Sequence, residues 1–446
     1  MPFDLLIRGA YVVTAVGVDR LSIGIEEGKV AALVPEESGA ARETIDARGL
    51  HVFPGVIDAH VHFNEPGRTE WEGVASGSAA LSAGGGTCFI DMPLNSSPPT
   101  LDAPSFAAKL AAFKGAARTD FALWGGLTPD NIDHLEALAE CGVVGFKAFM
   151  SGSGIEDFRR CDDDTLFRGM QIAARLGLPV AVHAENDGIV SALSASARAG
   201  GRTSVRDFLA SRPLIAEAEA ISRALLFAGE TGCSLHVVHT SSARGAELVR
   251  AAVESGLCDA TCETCPHYLL LCDSDVEELG ARAKCAPPVR SAGERDKLVA
   301  LVAAGRVDTI GSDHSPAPPE MKRSEDFFRA WGGISGVQST LRALLTLDLP
   351  LPLAARLASV NVARRFRLPG KGGIRIGADA DLALVDLSVT SALGVEELLD
   401  RHRASPYAGR TFRGVVRRTL VRGRTVCRDG VTVGAPTGQF LRPGRV

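Results

Sequence analysis

His60 and His62, in the stretch VIDAHVH, form a His-x-His pair. On an extended segment a period of two puts both imidazoles on one face, where they can grip one cation. Further along stand Lys147 in VVGFKAFM, His183 in PVAVHAEN, His239 in SLHVVHTSS and Asp313 in DTIGSDHSP, each after a short apolar run. Such runs read as buried parallel strands, so these residues fall at strand carboxyl ends, where barrel enzymes build their sites. Singly they have ordinary readings: a chance His-x-His, core histidines at 183 and 239, a turn-capping Asp313, a buried Lys147 paired with an acid. Their common placement joins them into one candidate metal site.

Lys147 is the odd member, because an ammonium group has no lone pair and is repelled by a nearby dication. Carboxylation of its amine by carbon dioxide gives a carbamate with two oxygen donors, able to bridge two cations about 3.5 to 4 Å apart. Four histidines, a carbamate and Asp313 then make a binuclear hydrolytic site. His134, His51 and His402 lack the strand-end context and read as structural. His236 stands an odd number of residues before His239, so the two are expected on opposite faces of their strand, with His239 the better ligand.

Positioning six such groups calls for a series of strands, and eight candidates can be read: 56–60, 87–91, 120–124, 143–149, 179–183, 234–239, 259–264 and 307–312. Amphipathic stretches such as TLFRGMQIAARLG and SARGAELVRAAVESG separate most of them, several closed by glycine. This alternation predicts an α/β fold, a (β/α)8 TIM barrel. The open doubly wound sheet is disfavoured because no G-x-G-x-x-G follows a strand. Gly84-Gly85-Gly86 reads as a helix-ending turn. The first fifty residues and the tail both read as short strands around glycine turns, with a hairpin at Glu27-Gly28. The expected organisation is a small β-sandwich domain from both chain ends (1–54 and 369–446) around a barrel over 55–368.

The 446 residues fit a barrel of about 250 residues plus a smaller module. A formal net charge of -5 argues against nucleic-acid or anionic-membrane partners, and no apolar run approaches the ~18 residues of a membrane span. The opening MPFDLLIRG lacks a basic segment followed by an apolar one, so a cytoplasmic protein is expected. Ten scattered cysteines read as reduced thiols, and Cys262-Glu263-Thr264-Cys265 as an incidental C-x-x-C.

The segments FPGVIDAHVHFNEPGRTEWEG, IDMPLNSSPPT, GVVGFKAFM, PVAVHAEN, TCETCPHYL, AKCAPPVR, SDHSPAPPEMK and WGGISGVQS run in order through the barrel, followed by ASPYAGR. Together they resemble the amidohydrolase superfamily, in its cyclic amidase branch with dihydroorotases, hydantoinases and allantoinases, and within it most of all the allantoinases. The resemblance implies two divalent ions per subunit, bridged by a carboxylated lysine and a hydroxide. Zinc is expected first, with cobalt, manganese or iron as alternatives. The matching ligands are His60, His62, Lys147 as N6-carboxylysine, His183, His239 and Asp313. Asp313 is expected also to move the proton from attacking hydroxide to leaving ring nitrogen. Branch members imply a homotetramer. A non-catalytic scaffold on this fold would have lost ligands, and none is lost.

Substrate choice within the branch turns on two departures. Dihydroorotases place an Arg two residues after the His-x-His pair and an Asn directly after Met-Pro; here those places hold Asn64 and Leu94. A carboxylate buried without its cation is costly, whereas an amide suits a neutral ureido group. The expected reaction is hydrolysis of (S)-allantoin to allantoate in purine degradation. Hydantoinase or dihydropyrimidinase activity stands second, and dihydroorotase third. Asn64, Cys285 and Ser315 are the expected substrate contacts.

Overall fold

The computed structural model describes residues 2–36 and 38–444. Its centre is a ring of eight parallel strands: Val56–Val61, Gly86–Asp91, Asp120–Leu123 with its continuation Gly125–Gly126, Phe146–Phe149, Val180–His183, Leu235–Val237, Ala260–Thr264 and Thr309–Ile310. Consecutive strands pair in parallel. The ring closes where Val61 bridges His314 and the His62 N–H donates to the His314 carbonyl at 2.8 Å. Strands covered by helices on one side and packed against each other on the other have no wet face, and Val56–Val61 and Gly86–Asp91 are buried at every position.

Several ladders are shorter than the sequence suggests. The start of the fourth segment closes a helix: Gly142 is left-handed at φ 101° and the Val143 N–H returns to the Leu138 carbonyl, while the Val144 N–H already reaches the Leu123 carbonyl of the third strand. The last strand pairs only at Thr309–Ile310 because the Ser312 N–H goes to the Asp58 carboxylate at 3.1 Å, not to a neighbouring strand's backbone. Helices return the chain between strands with the expected punctuation. Asp162 caps Asp163–Leu176, which ends on left-handed Gly177, and Ser242 caps Ala243–Glu254.

The chain ends build one nine-stranded sheet. Glu27 and Gly28, both with positive φ, form the hairpin between Val18–Glu26 and Lys29–Pro35. Strand His51–Pro54 is the seam, parallel to Tyr11 and Val12 of the opening strand and antiparallel to Leu382–Val385 of the tail. Leu5, Ile7, Val12 and Ile25 thereby share an apolar core with Leu382, Leu384 and Leu420. Lys371 ties this layer to the barrel: its buried ammonium lies 2.5 Å from Asp120, 2.7 Å from Asp381 and 2.9 Å from Asp379. Among the described residues no helix is long and apolar enough to cross a membrane.

Candidate metal centre

His60 and His62 leave the first strand towards the end of the ring where Asp313 follows the eighth. Their Nε2 atoms lie 3.3 and 3.4 Å from Asp313 Oδ1, and the three side chains offer ligand atoms within 4.8 Å of one another. Burial raises the Asp313 carboxyl, but His60 and His62 outweigh it and hold it well below the usual carboxylate range. Asp313 is therefore an anion beside two imidazoles. His183 and His239, from the fifth and sixth strand ends, face each other with Nδ1 and Nε2 3.1 Å apart. Burial pushes the imidazoles of His60, His183 and His239 below their ordinary value, which keeps them neutral with a lone pair to give.

Lys147, on the fourth strand, is fully buried, and its Nζ has no hydrogen-bond partner among the described residues. Burial brings its amine down to about 7 against the opposing pull of Asp313 and Glu263. An orphaned, readily deprotonated amine between a carboxylate and neutral imidazoles suits conversion into an anionic ligand, and the donor set as a whole fits divalent cations. Two of these residues are also conformationally unusual: His239 has φ 38° and Asp313 φ 46°. Left-handed backbone at non-glycine residues costs of order 1 kcal/mol each and clusters at functional sites.

The three expected substrate contacts lie on loops at this end. Asn64 is buried at φ 64°, its Nδ2 3.5 Å from the Pro316 carbonyl and its Oδ1 without a partner among the described residues. Ser315 Oγ donates back to the Asp313 carbonyl at 2.9 Å. Cys285 is buried in the loop after Gly280–Ala283, with its thiol pushed up to about 12 by burial, which makes it a packing group and not a nucleophile. Leu94 sits in an apolar cluster with Phe149, Ile155 and Phe158.

His236 requires a correction. The sequence placed it on the face opposite His239, yet both enter the barrel interior. The ladder ends at Val237 and the positive φ at His239 breaks the alternation, so period-two counting fails across 238. His236 lies deeper, with Nδ1 2.8 Å from Thr261 Oγ1 and Nε2 3.5 Å from Glu263 Oε2.

Glu263 is a site residue the sequence reading passed over. Its Oε1 lies 2.8 Å from His60 Nδ1. Burial would raise its carboxyl, but His236 and His60 outweigh that and bring it down to about 2. Glu185 does the same for His183, its Oε2 lying 2.9 Å from Nε2. Burial again raises the carboxyl, and Arg212 with His183 overcomes it and holds it at about 2. The signal was available: Glu185 stands two residues after His183, and Glu263 stands between two cysteines, one residue before the end of the seventh strand. Those cysteines are free and buried, as expected. The second acidic cluster, Asp120, Asp379 and Asp381, already encloses the Lys371 ammonium.

A family model described as the amidohydrolase family matches residues 51–426. The chain is 57% identical to an allantoinase of Rubrobacter xylanophilus, over 99% of this chain and 98% of that one. It is 55% identical to an allantoinase of Solibacter usitatus, over 99% and 97%. Among solved structures it superposes on the L-hydantoinase (dihydropyrimidinase) from Arthrobacter aurescens with a TM-score of 0.96 at 34% identity, covering 99% of this chain and 100% of that one. The fold is that of a barrel hydrolase with a small β-sandwich domain. The chain belongs to the amidohydrolase family.

Proposed function

We propose that this protein is a metal-dependent cyclic amidohydrolase that opens the ring of (S)-allantoin to give allantoate. The observation that carries the chemistry is the convergence of Lys147, buried and partnerless, with His60, His62, His183, His239 and Asp313. The substrate rests on the full-length likeness to proteins named allantoinase and on Asn64 and Leu94, which offer an anionic ring no cation.

His60, His62 and Asp313 would hold one divalent ion, zinc in the first instance, and His183 and His239 the other. The neutral Lys147 amine would attack carbon dioxide, form an N–C bond and release a proton, leaving N6-carboxylysine as a ligand shared by both ions. When bound, the ions would lower the pKa of a water and polarise the ring carbonyl. Asp313, ionised and at the mouth, accepts the proton of the attacking water and returns it to the leaving ring nitrogen. The partnerless Asn64 Oδ1 accepts a ureido N–H, which fixes the ring's orientation. Ten free cysteines, most of them buried, support a reducing cytoplasmic setting. The branch resemblance supports a homotetramer.

Hydantoinase activity is the second reading, favoured by the close superposition on the Arthrobacter aurescens enzyme. Assay of the metal-loaded protein against allantoin, hydantoin, dihydrouracil and dihydroorotate decides between them: allantoin is expected to be the fastest, and a faster hydantoin assigns the second reading.

A further inference from the structure

The half of the site formed by His183 and His239 is held from behind by a chain of buried charged groups. Glu185 Oε2 receives both His183 Nε2–H and an Arg212 guanidinium N–H. Arg290, in the AKCAPPVR segment, donates to the Arg212 carbonyl and, from Nε, to Ser241 Oγ at 2.9 Å. Ser241 gives its N–H and its hydroxyl to Glu217 Oε1 at 2.7 and 2.9 Å. Glu185, Glu217, Arg290 and Ser241 are all buried.

An ionised carboxylate only accepts, so the His183 proton resides on Nε2 and the lone pair on Nδ1. That lone pair points towards His239 Nε2, 3.1 Å away. In the other pair, His60 has its own carboxylate, Glu263, and His62 Nδ1 has no hydrogen-bond partner among the described residues. Glu263 comes from the seventh strand; its Oε1 also receives the His239 N–H at 3.4 Å, but it shares no hydrogen bond with Glu185 or Arg212, so the Glu185–Arg212 clamp acts on His183 alone.

We propose that Glu185, clamped by Arg212, is a positioning residue that makes His183 an Nδ1 donor and thereby decides whether the His183–His239 half of the site retains its cation. The inference rests on the two-cation reading above and goes beyond it, since it assigns separate control to one half of the site. Arg290 makes that control depend on the 283–290 segment, which also carries Cys285. Outer carboxylates of this kind typically change metal affinity 10- to 100-fold.

The test is metal stoichiometry and cobalt(II) absorption on the purified holoprotein during stepwise removal by a chelator. Glu185→Gln is expected to lose one ion per chain at a chelator concentration at least about tenfold lower than wild type, while the ion at His60, His62 and Asp313 is kept at wild-type strength. Glu185→Asp, which keeps the charge, is expected to recover part of that loss. Should Glu185→Gln fail to fold because Arg212 is left unpaired, the double variant Glu185→Gln/Arg212→Met removes both charges, and it is expected to fold and hold one ion. Loss of both ions in parallel, or retention of both as in wild type, overturns the inference. A wild-type chain that holds a single ion overturns the two-cation reading itself, and this inference with it.

Discussion

His60 Nδ1 and Glu263 Oε1 lie 2.8 Å apart inside the barrel, both side chains buried. The carboxylate can only accept, so Nδ1 carries the proton and Nε2 faces Asp313 with its lone pair free. One hydrogen bond thus fixes the tautomer, the ring orientation and the donor atom of a candidate ligand.

Replacing that carboxylate by an amide removes the charge and keeps the shape. Glu263→Gln is expected to weaken binding of the ion held by His60, His62 and Asp313 by about 10- to 100-fold. Competition with a chromogenic chelator measures this directly, and unchanged affinity would remove Glu263 from the site.

Lys147→Ala is expected to lose metal and activity together, with partial rescue by acetate or propionate, which can fill the vacated space with a carboxylate. Metal loading should also depend on pH. Only the neutral amine reacts with carbon dioxide, and burial places its pKa at about 7. Metal-stripped protein given bicarbonate and zinc should therefore regain activity faster at pH 8 than at pH 6, since the neutral fraction falls below that pKa. Equal rates at the two pH values, or an unmodified amine by intact mass in the active metal-loaded enzyme, would contradict a carboxylated lysine.

Asp313→Asn separates proton transfer from shape. Asparagine tolerates the left-handed backbone that Asp313 adopts at φ 46°, so the melting temperature should stay close to wild type. Turnover should fall by ~10² or more because the amide is not a base. Near-normal turnover in the folded variant would move the proton shuttle to another residue.

The sequence exposed the parts of this protein that follow local rules. The period of two in His60-x-His62, the apolar runs before Lys147, His183 and Asp313, and the hairpin at Glu27-Gly28 are each visible within a few residues. What escaped depends on the closing of the ring. Glu263 reaches His60 across 203 residues of sequence, a relationship no window reveals. The short last ladder follows from Asp58 taking the Ser312 N–H, and the misplacement of His236 from one left-handed residue at 239. In these cases a side chain or a single backbone angle displaced the regular pattern, and all three lie at or beside the site.

Whether a neutral ureide ring is the substrate is read from relative kcat/KM for (S)-allantoin and dihydroorotate on the fully metal-loaded enzyme. With Asn64 and Leu94 in place of a cation and an amide, an anionic ring loses a charge-assisted hydrogen bond worth about 1.5 to 3 kcal/mol, and misorientation at the metals adds to that loss. A ratio of at least ~10² in favour of allantoin is expected. A faster dihydroorotate, or a 5-substituted hydantoin hydrolysed faster than allantoin, would contradict the substrate assignment.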